Sequence, residues 1–258
     1  MYLRGDHAEK SLPALRAFIR ANPLGVLTTA IESSTFPLLQ CSHIPWVLDI
    51  DDDSSETEFG TLRGHMARAN PQAKAMVASA KARALSADLE PSQPVQLEKE
   101  DMVLFNAPVD HYVTAKFNVE TKPATGKVVP TWNYAAVQAY GVATVYYDMK
   151  AETSTAYLGQ QIRDLSHMAE TKNMDFKEPW KVEDASASYI LKMTKAIVGV
   201  EIKITSLGGK WKMSQEESLG DRAGVIQGFQ SMGTDAGNWM ATTITERCAL
   251  SDERKAKN

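Results

Sequence analysis

Segments with the two-residue period of a strand recur along this chain, and the few helical stretches fall between them without regular β-α-β alternation. That ordering constrains the fold more than any other feature. It favours an α+β architecture, a barrel with attached helices, over a doubly wound parallel sheet. Strand-like segments are "GVLTTAI" at 25–31, "LLQCSHIPWVLDI" at 38–50, "VQLEKEDMVLFNA" at 95–107, "DHYVTAKF" at 110–117, the run from Thr131 into "AYGVATVYYDM", and "VGVEIKIT" at 198–205. Pro45 puts the second of these at an edge or bulge, since proline donates nothing to a ladder.

The helical segments carry their own start signals. Ser11 precedes Leu12, Leu15, Phe18 and Ile19, which share one face. Asn70 followed by Pro71 is a cap and first-turn pair, entered from a short strand. Leu158, Ile162 and Leu165 keep helical spacing, and "WKVEDASASYILKMTKAIVG" is expected to be a helix ending near Gly199. A turn is expected at Gly208-Gly209, and a frayed tail at "SDERKAKN".

With 258 residues, 43% hydrophobic and 23% charged, the chain can bury a core without staples. Cys41 and Cys248 form no framework, which points to a reducing compartment and a cytoplasmic protein. No segment offers the roughly 20 apolar residues of a membrane helix. The N-terminus lacks the apolar run of a secretory signal. A net charge of -4 argues against a large nucleic-acid footprint, because that affinity rests on cations meeting phosphates. His7, His43, His65, His111 and His167 show no ligand spacing, so no metal site is expected. G-x-G-x-x-G and Walker sequences are absent, and any nucleotide-like cofactor must be held another way.

Three stretches bear on a ligand. At "HMARANP" a strand runs into a helix beside Arg68 and Asn70, which offers a phosphate backbone N–H groups, a dipole and a cation. The alternative is an ordinary capped helix with a surface arginine. In "CSHIP", Cys41 and His43 share a strand face. A thiolate dyad there is weaker than the reading of Cys41 as a small buried hydrophobe. In "PTWNY", Thr131, Trp132 and Asn133 combine a hydroxyl, a flat π-surface and an amide, suited to a flat polar ring; packing of a barrel or a subunit interface is the equal alternative.

The blocks "CSHIP" (41–45), "GHMARANPQAK" (64–74), "GKVVPTWNYAAVQAYG" (126–141), "AIVGVEIKI" (196–204) and "GKWKMSQ…DRAGVI" (209–226) resemble, in order and spacing, the PaiB family of FMN-binding split-barrel proteins. The resemblance implies an antiparallel split barrel with flanking helices over residues 1–229, and a partly frayed extension over 230–258. It also implies a homodimer with FMN in a groove between subunits. Arg68, Asn70 and the backbone near His65 or Ala67 would then meet the phosphate and ribityl chain. Ser42 and the backbone at His43 and Ile44 would line the flavin, and Thr131, Trp132 and Asn133 would reach the partner subunit's cofactor. Lys212, Ser214 and Gln215 would approach the phosphate or ring, or form a solvated turn. Against the family pattern, "TAKFN" at 114–118 and Ala73 lack rigid or aromatic bulk near the implied substrate face.

Three functions follow from that resemblance. The first is an FMN-dependent oxidoreductase acting on a small organic substrate, with no side chain demanded as acid or base. The second is a flavin-sensing negative transcriptional regulator. The third is a co-opted biosynthetic or haem-binding scaffold.

Overall fold

The computed structural model describes residues 1–90 and 93–256. In chain order its elements are β1 (Ala8–Glu9), α1 (Leu12–Ala21), β2 (Leu24–Ala30), β3 (Leu39–Pro45), β4 (Val47–Asp49), β5 (Thr61–Ala67), α2 (Pro71–Ser86), β6 (Val95–Gln96), β7 (Asp101–Asn106) and β8 (His111–Val113). They continue as α3 (Thr121–Thr125), β9 (Thr131–Tyr146), α4 (Glu152–Met168), α5 (Ala187–Lys195), β10 (Ile197–Lys212), α6 (Leu219–Gln230) and α7 (Asp235–Ala256). The chain builds two compact units, one from residues 1–18, 106–137 and 208–258, the other from 19–105 and 138–207. The second half of β9 and the first part of β10 belong to the larger unit.

In that larger unit the strand order is β3-β2-β7-β9-β10-β5-β4. The strand pairings on which register is defined are antiparallel: β2 meets β3 from Leu24↔Pro45 to Ala30↔Leu39, and β10 meets β5 from Ile197↔Ala67 to Lys203↔Thr61. Alternation decides the faces. Gly25, Leu27 and Thr29 of β2 are buried, while Val26, Thr28 and Ala30 point the other way and stay half-buried. On β3 the same outward face carries Leu39, Cys41 and His43, all exposed.

Helix α2 begins as its sequence dictates. Asn70 accepts the N–H of Gln72 at 2.8 Å, and Pro71 takes the first turn. Gln72 is itself buried and donates through Nε2 to the Leu27 carbonyl at 3.2 Å, the Thr29 hydroxyl at 3.1 Å and the Gln40 carbonyl at 3.1 Å. Ala73, Met76 and Ala80 complete the buried stripe. Helix α4 lies over β5 and β10, where the Tyr157 hydroxyl donates to the Val200 carbonyl at 2.7 Å and its ring stacks on Tyr146 at 3.8 Å.

In the smaller unit β1 pairs with the end of β10, and β8 pairs with the start of β9. Leu12 and Leu15 of α1 are buried, as their spacing predicts. Glu9 is buried and receives Arg247 at 2.8 Å and Arg254 at 2.7 Å. Within the extension expected to be partly frayed, α7 spans Asp235–Ala256, with Met240, Ile244 and Cys248 buried. Of the expected frayed tail, residues 251–256 are helical, and 257–258 lie outside the described residues.

Two expected elements differ. The helix predicted up to Gly199 is shorter: a 3-10 turn at Val182–Asp184 precedes α5, and β10 has begun by Ile197. The β-branched Ile197, Val198 and Val200 pair with β5 instead of extending the helix. No turn forms at Gly208-Gly209, because β10 runs through both to Lys212. Gly209 pairs with Glu9, and a side chain there would meet Leu15 at 2.1 Å, so the glycine serves packing rather than a bend.

Candidate functional site

The β5–α2 junction was the expected phosphate cradle, and its two key residues diverge. Arg68 donates through Nε to the Lys195 carbonyl at 3.2 Å and through Nη2 to the carbonyls of Tyr147 at 2.9 Å and Ile197 at 3.0 Å. Asn70 turns to β3 and donates through Nδ2 to the Ser42 hydroxyl at 2.9 Å. At the helix start Asn70 caps Gln72, Pro71 has no N–H, and Ala73 is fully buried. The side chains of Arg68 and Asn70, both expected to meet a phosphate, thus bond to different elements, Arg68 to carbonyls beside β9 and β10 and Asn70 to β3. His65 donates through Nδ1 to Gln161 Oε1 at 2.6 Å on α4, and Ala67 is exposed at the strand end.

On β3, Ile44 is buried and Ser42 is held by Asn70, whereas His43 is exposed on the open face. Cys41 is exposed as well, contrary to the buried thiol expected, and its sulfur lies 3.3 Å from the Thr28 hydroxyl across the β2–β3 ladder. Ala73 is fully buried. The "TAKFN" segment is also structural. Thr114 caps a 3-10 turn, and Phe117 packs edge-on to Phe229 at 5.6 Å.

The third stretch gathers its residues. On β9, Thr131, Trp132 and Asn133 alternate, so Asn133 is fully buried while Trp132 is 51% exposed. Asn133 donates through Nδ2 to Ser214 Oγ at 3.1 Å, and Ser214 holds a left-handed φ of 59° in the turn after β10. Gln215 is buried, accepting from the Met213 N–H at 2.7 Å and donating to the Trp211 carbonyl at 2.7 Å. Asn133 and Gln215 therefore shape the turn from within. Trp132 stands on the outer face, while the half-buried Thr131 shares the face of Asn133. The Trp132 indole donates to Asp110 Oδ1 at 2.7 Å and meets the Tyr112 ring edge-on at 6.1 Å. Lys212 donates its ammonium to the Trp132 carbonyl at 3.0 Å and to the Thr131 hydroxyl. Burial lowers the Lys212 pKa, with nearby Glu216 opposing the shift.

Asp110 and Tyr112 were missed in the sequence. Their signal was the "DHYV" segment, but only the β8–β9 pairing, Tyr112↔Trp132, brings it to the tryptophan. The cluster joins an exposed indole held at a fixed angle, a second aromatic ring 45% exposed, and a cation bonded to the indole residue's own carbonyl. Such a surface can stack a flat ring and meet a negative charge at its edge.

Residues 1–206 match the protein family described as "Putative FMN-binding domain". The chain belongs to this PaiB-like family, and its fold is α+β, an antiparallel sheet of the split-barrel kind with helices. An uncharacterized protein of Emericella nidulans is 52% identical over 256 residues, covering 98% of this chain and 100% of that one. The Bacillus subtilis "Protease synthase and sporulation protein PAI 2" is 23% identical over 231 residues, covering 89% of each chain. Among solved structures, the flavocytochrome Anf3 from Azotobacter vinelandii superposes with a TM-score of 0.43 at 13% identity, covering 80% of this chain and 69% of that one. A flavin is the cofactor of this family. The surface at Trp132, Tyr112 and Lys212 suits the flat ring of such a group. No helix among the described residues is long and apolar enough to cross a membrane.

Proposed function

We propose that the chain binds FMN noncovalently as a homodimer and acts as a flavin-dependent oxidoreductase on a small organic substrate. The observation that carries this reading is the Trp132–Tyr112–Lys212 surface cluster, a stacking platform with an anchored cation beside it. Bound flavin supplies the electron transfer. The chain's own residues would do the rest. Trp132, fixed by Asp110, orients the ring by stacking. Lys212 presents a positive charge to the ring edge or phosphate.

The dimer rests on a second feature, the open sheet face. Leu39 is 66% exposed beside Cys41 and His43, and the half-buried Val26 and Thr28 continue the surface. A largely apolar face of this kind is what a second copy would cover. In that assembly His43 and the β3 backbone of one subunit would face the Trp132 segment of the other, which excludes water from the ring.

Titration of FMN into the purified protein tests the reading. Quenching of flavin fluorescence at one FMN per chain, with light scattering at twice the chain mass, is expected. Unquenched flavin would overturn the cofactor assignment, and a monomer that still quenches would overturn only the dimer.

A further inference from the structure

We propose that the pocket around Arg68, Lys81 and Lys150 is a second binding site, for a small organic anion carrying an apolar body. The pocket has a volume of about 450 Å³ and is floored by the buried Tyr147 ring. That volume is in the ordinary range for small-molecule sites. None of its lining belongs to the Trp132 cluster, and Arg68, which the family resemblance assigns to a flavin phosphate, is here assigned to this separate pocket.

Charge is the first argument. Arg68 is held in place by the three carbonyls of Lys195, Tyr147 and Ile197, and its Nη1 group lies outside those bonds. Lys81 stands over the Tyr147 ring at 5.8 Å, and Lys150 lines the same pocket. Among the described residues, none of the three takes part in a salt bridge to a carboxylate. Asp148 is the single acid of the lining, and its Oδ1 already accepts the Lys150 N–H at 2.9 Å. Three cations against one carboxylate leave two positive charges facing the space. Burial lowers the Arg68 pKa, with Asp148 opposing, so an incoming anion would also relieve a desolvated cation.

The apolar wall is the second argument. Leu85 is 85% exposed and Leu89 44% exposed, on the same pocket. Inorganic phosphate would satisfy the cations and leave both leucines in water. A hydrocarbon would cover the leucines and leave the cations unmet. A carboxylate or phosphate monoester on an aliphatic or aromatic body satisfies both.

Decanoate is a suitable probe, with decanol and inorganic phosphate as the uncharged and body-less controls. Calorimetric titration of the intact chain is expected to show one decanoate bound, weakened by raised salt and by neither control reproduced. Lys81→Gln combined with Lys150→Gln is expected to weaken it about tenfold, and Leu85→Ser several-fold. All three positions are exposed, so these variants keep the fold. Absence of saturable binding, equal binding of decanol, or an unchanged affinity in the double lysine variant would overturn the proposal. So would displacement of bound FMN by decanoate, since the pocket would then be part of the flavin's own site. A chain that takes up decanoate and no FMN would sink the flavin reading alone.

Discussion

Lys212 donates its ammonium to the carbonyl of Trp132 at 3.0 Å, so the cation of the candidate site is tied to the backbone of the residue that supplies its stacking face. Trp132→Ala removes that face at a position half open to solvent. FMN affinity is expected to fall about tenfold, while the melting temperature stays close to wild type. Lys212→Met is expected to weaken FMN by a similar factor. Fluorescence quenching titrations of both variants check this, and unchanged affinity in both would remove the cluster from the site.

Asp101 gives a pH dependence. Burial pushes its carboxyl from the ordinary 3.8 up to about 6, and the Ala143 N–H, donated to it at 3.0 Å, opposes only part of that. A raised carboxylate pKa favours the protonated form in the folded state. Stability from this group is therefore complete below pH 3.8 and declines as pH rises to about 6, by at most about 3 kcal/mol. Asp101→Asn keeps an acceptor for Ala143 and cannot ionise. Its melting temperature should exceed wild type at pH 8 and match it near pH 4, as read by thermal unfolding at both pH values.

Glu9 is the buried hub of Arg247 and Arg254. Glu9→Ala leaves Arg247 packed against the Trp211 ring, 3.9 Å away, without its carboxylate. A loss of about 3 kcal/mol is expected, because removing one partner strands a buried charge. Arg254 is about half exposed, and Arg254→Ala should cost less than about 1 kcal/mol. Urea unfolding of the two variants measures the difference; equal effects would contradict the burial argument.

Gly141 sits where β9 and β10 pass closely. A methyl group there would lie 2.3 Å from the Lys203 carbonyl oxygen and 2.7 Å from Ile202 Cγ2. Backbone cannot give way as a side chain can. Gly141→Ala is expected to cost about 2–3 kcal/mol, visible as a lower urea midpoint.

Much of the local structure was legible. The Asn70-Pro71 helix start, the buried Leu12 and Leu15 of α1 and the strand runs each follow from period and capping, which involve neighbours within a few residues. The ordered blocks of residues also disclosed the family. Of the candidate residues, Lys212 reaches the Trp132 carbonyl, the side chains of Arg68 and Asn70 bond to different elements, and Asn133 and Gln215 turn inward. Alternation along β9 required Trp132 and Asn133 to face opposite ways, yet nothing local says which face stays open.

The sequence by itself determined where helices and strands begin, which residues alternate, and to which flavin-binding family the chain belongs. Only the tertiary structure decided that Arg68 meets carbonyls contributed by Tyr147 and Lys195, that Asn70 meets Ser42, and that Tyr112 stands against Trp132. The reason is physical: propensity and period act over a turn or a pleat, while a side chain's hydrogen-bond partners are supplied by elements brought close through packing of distant segments.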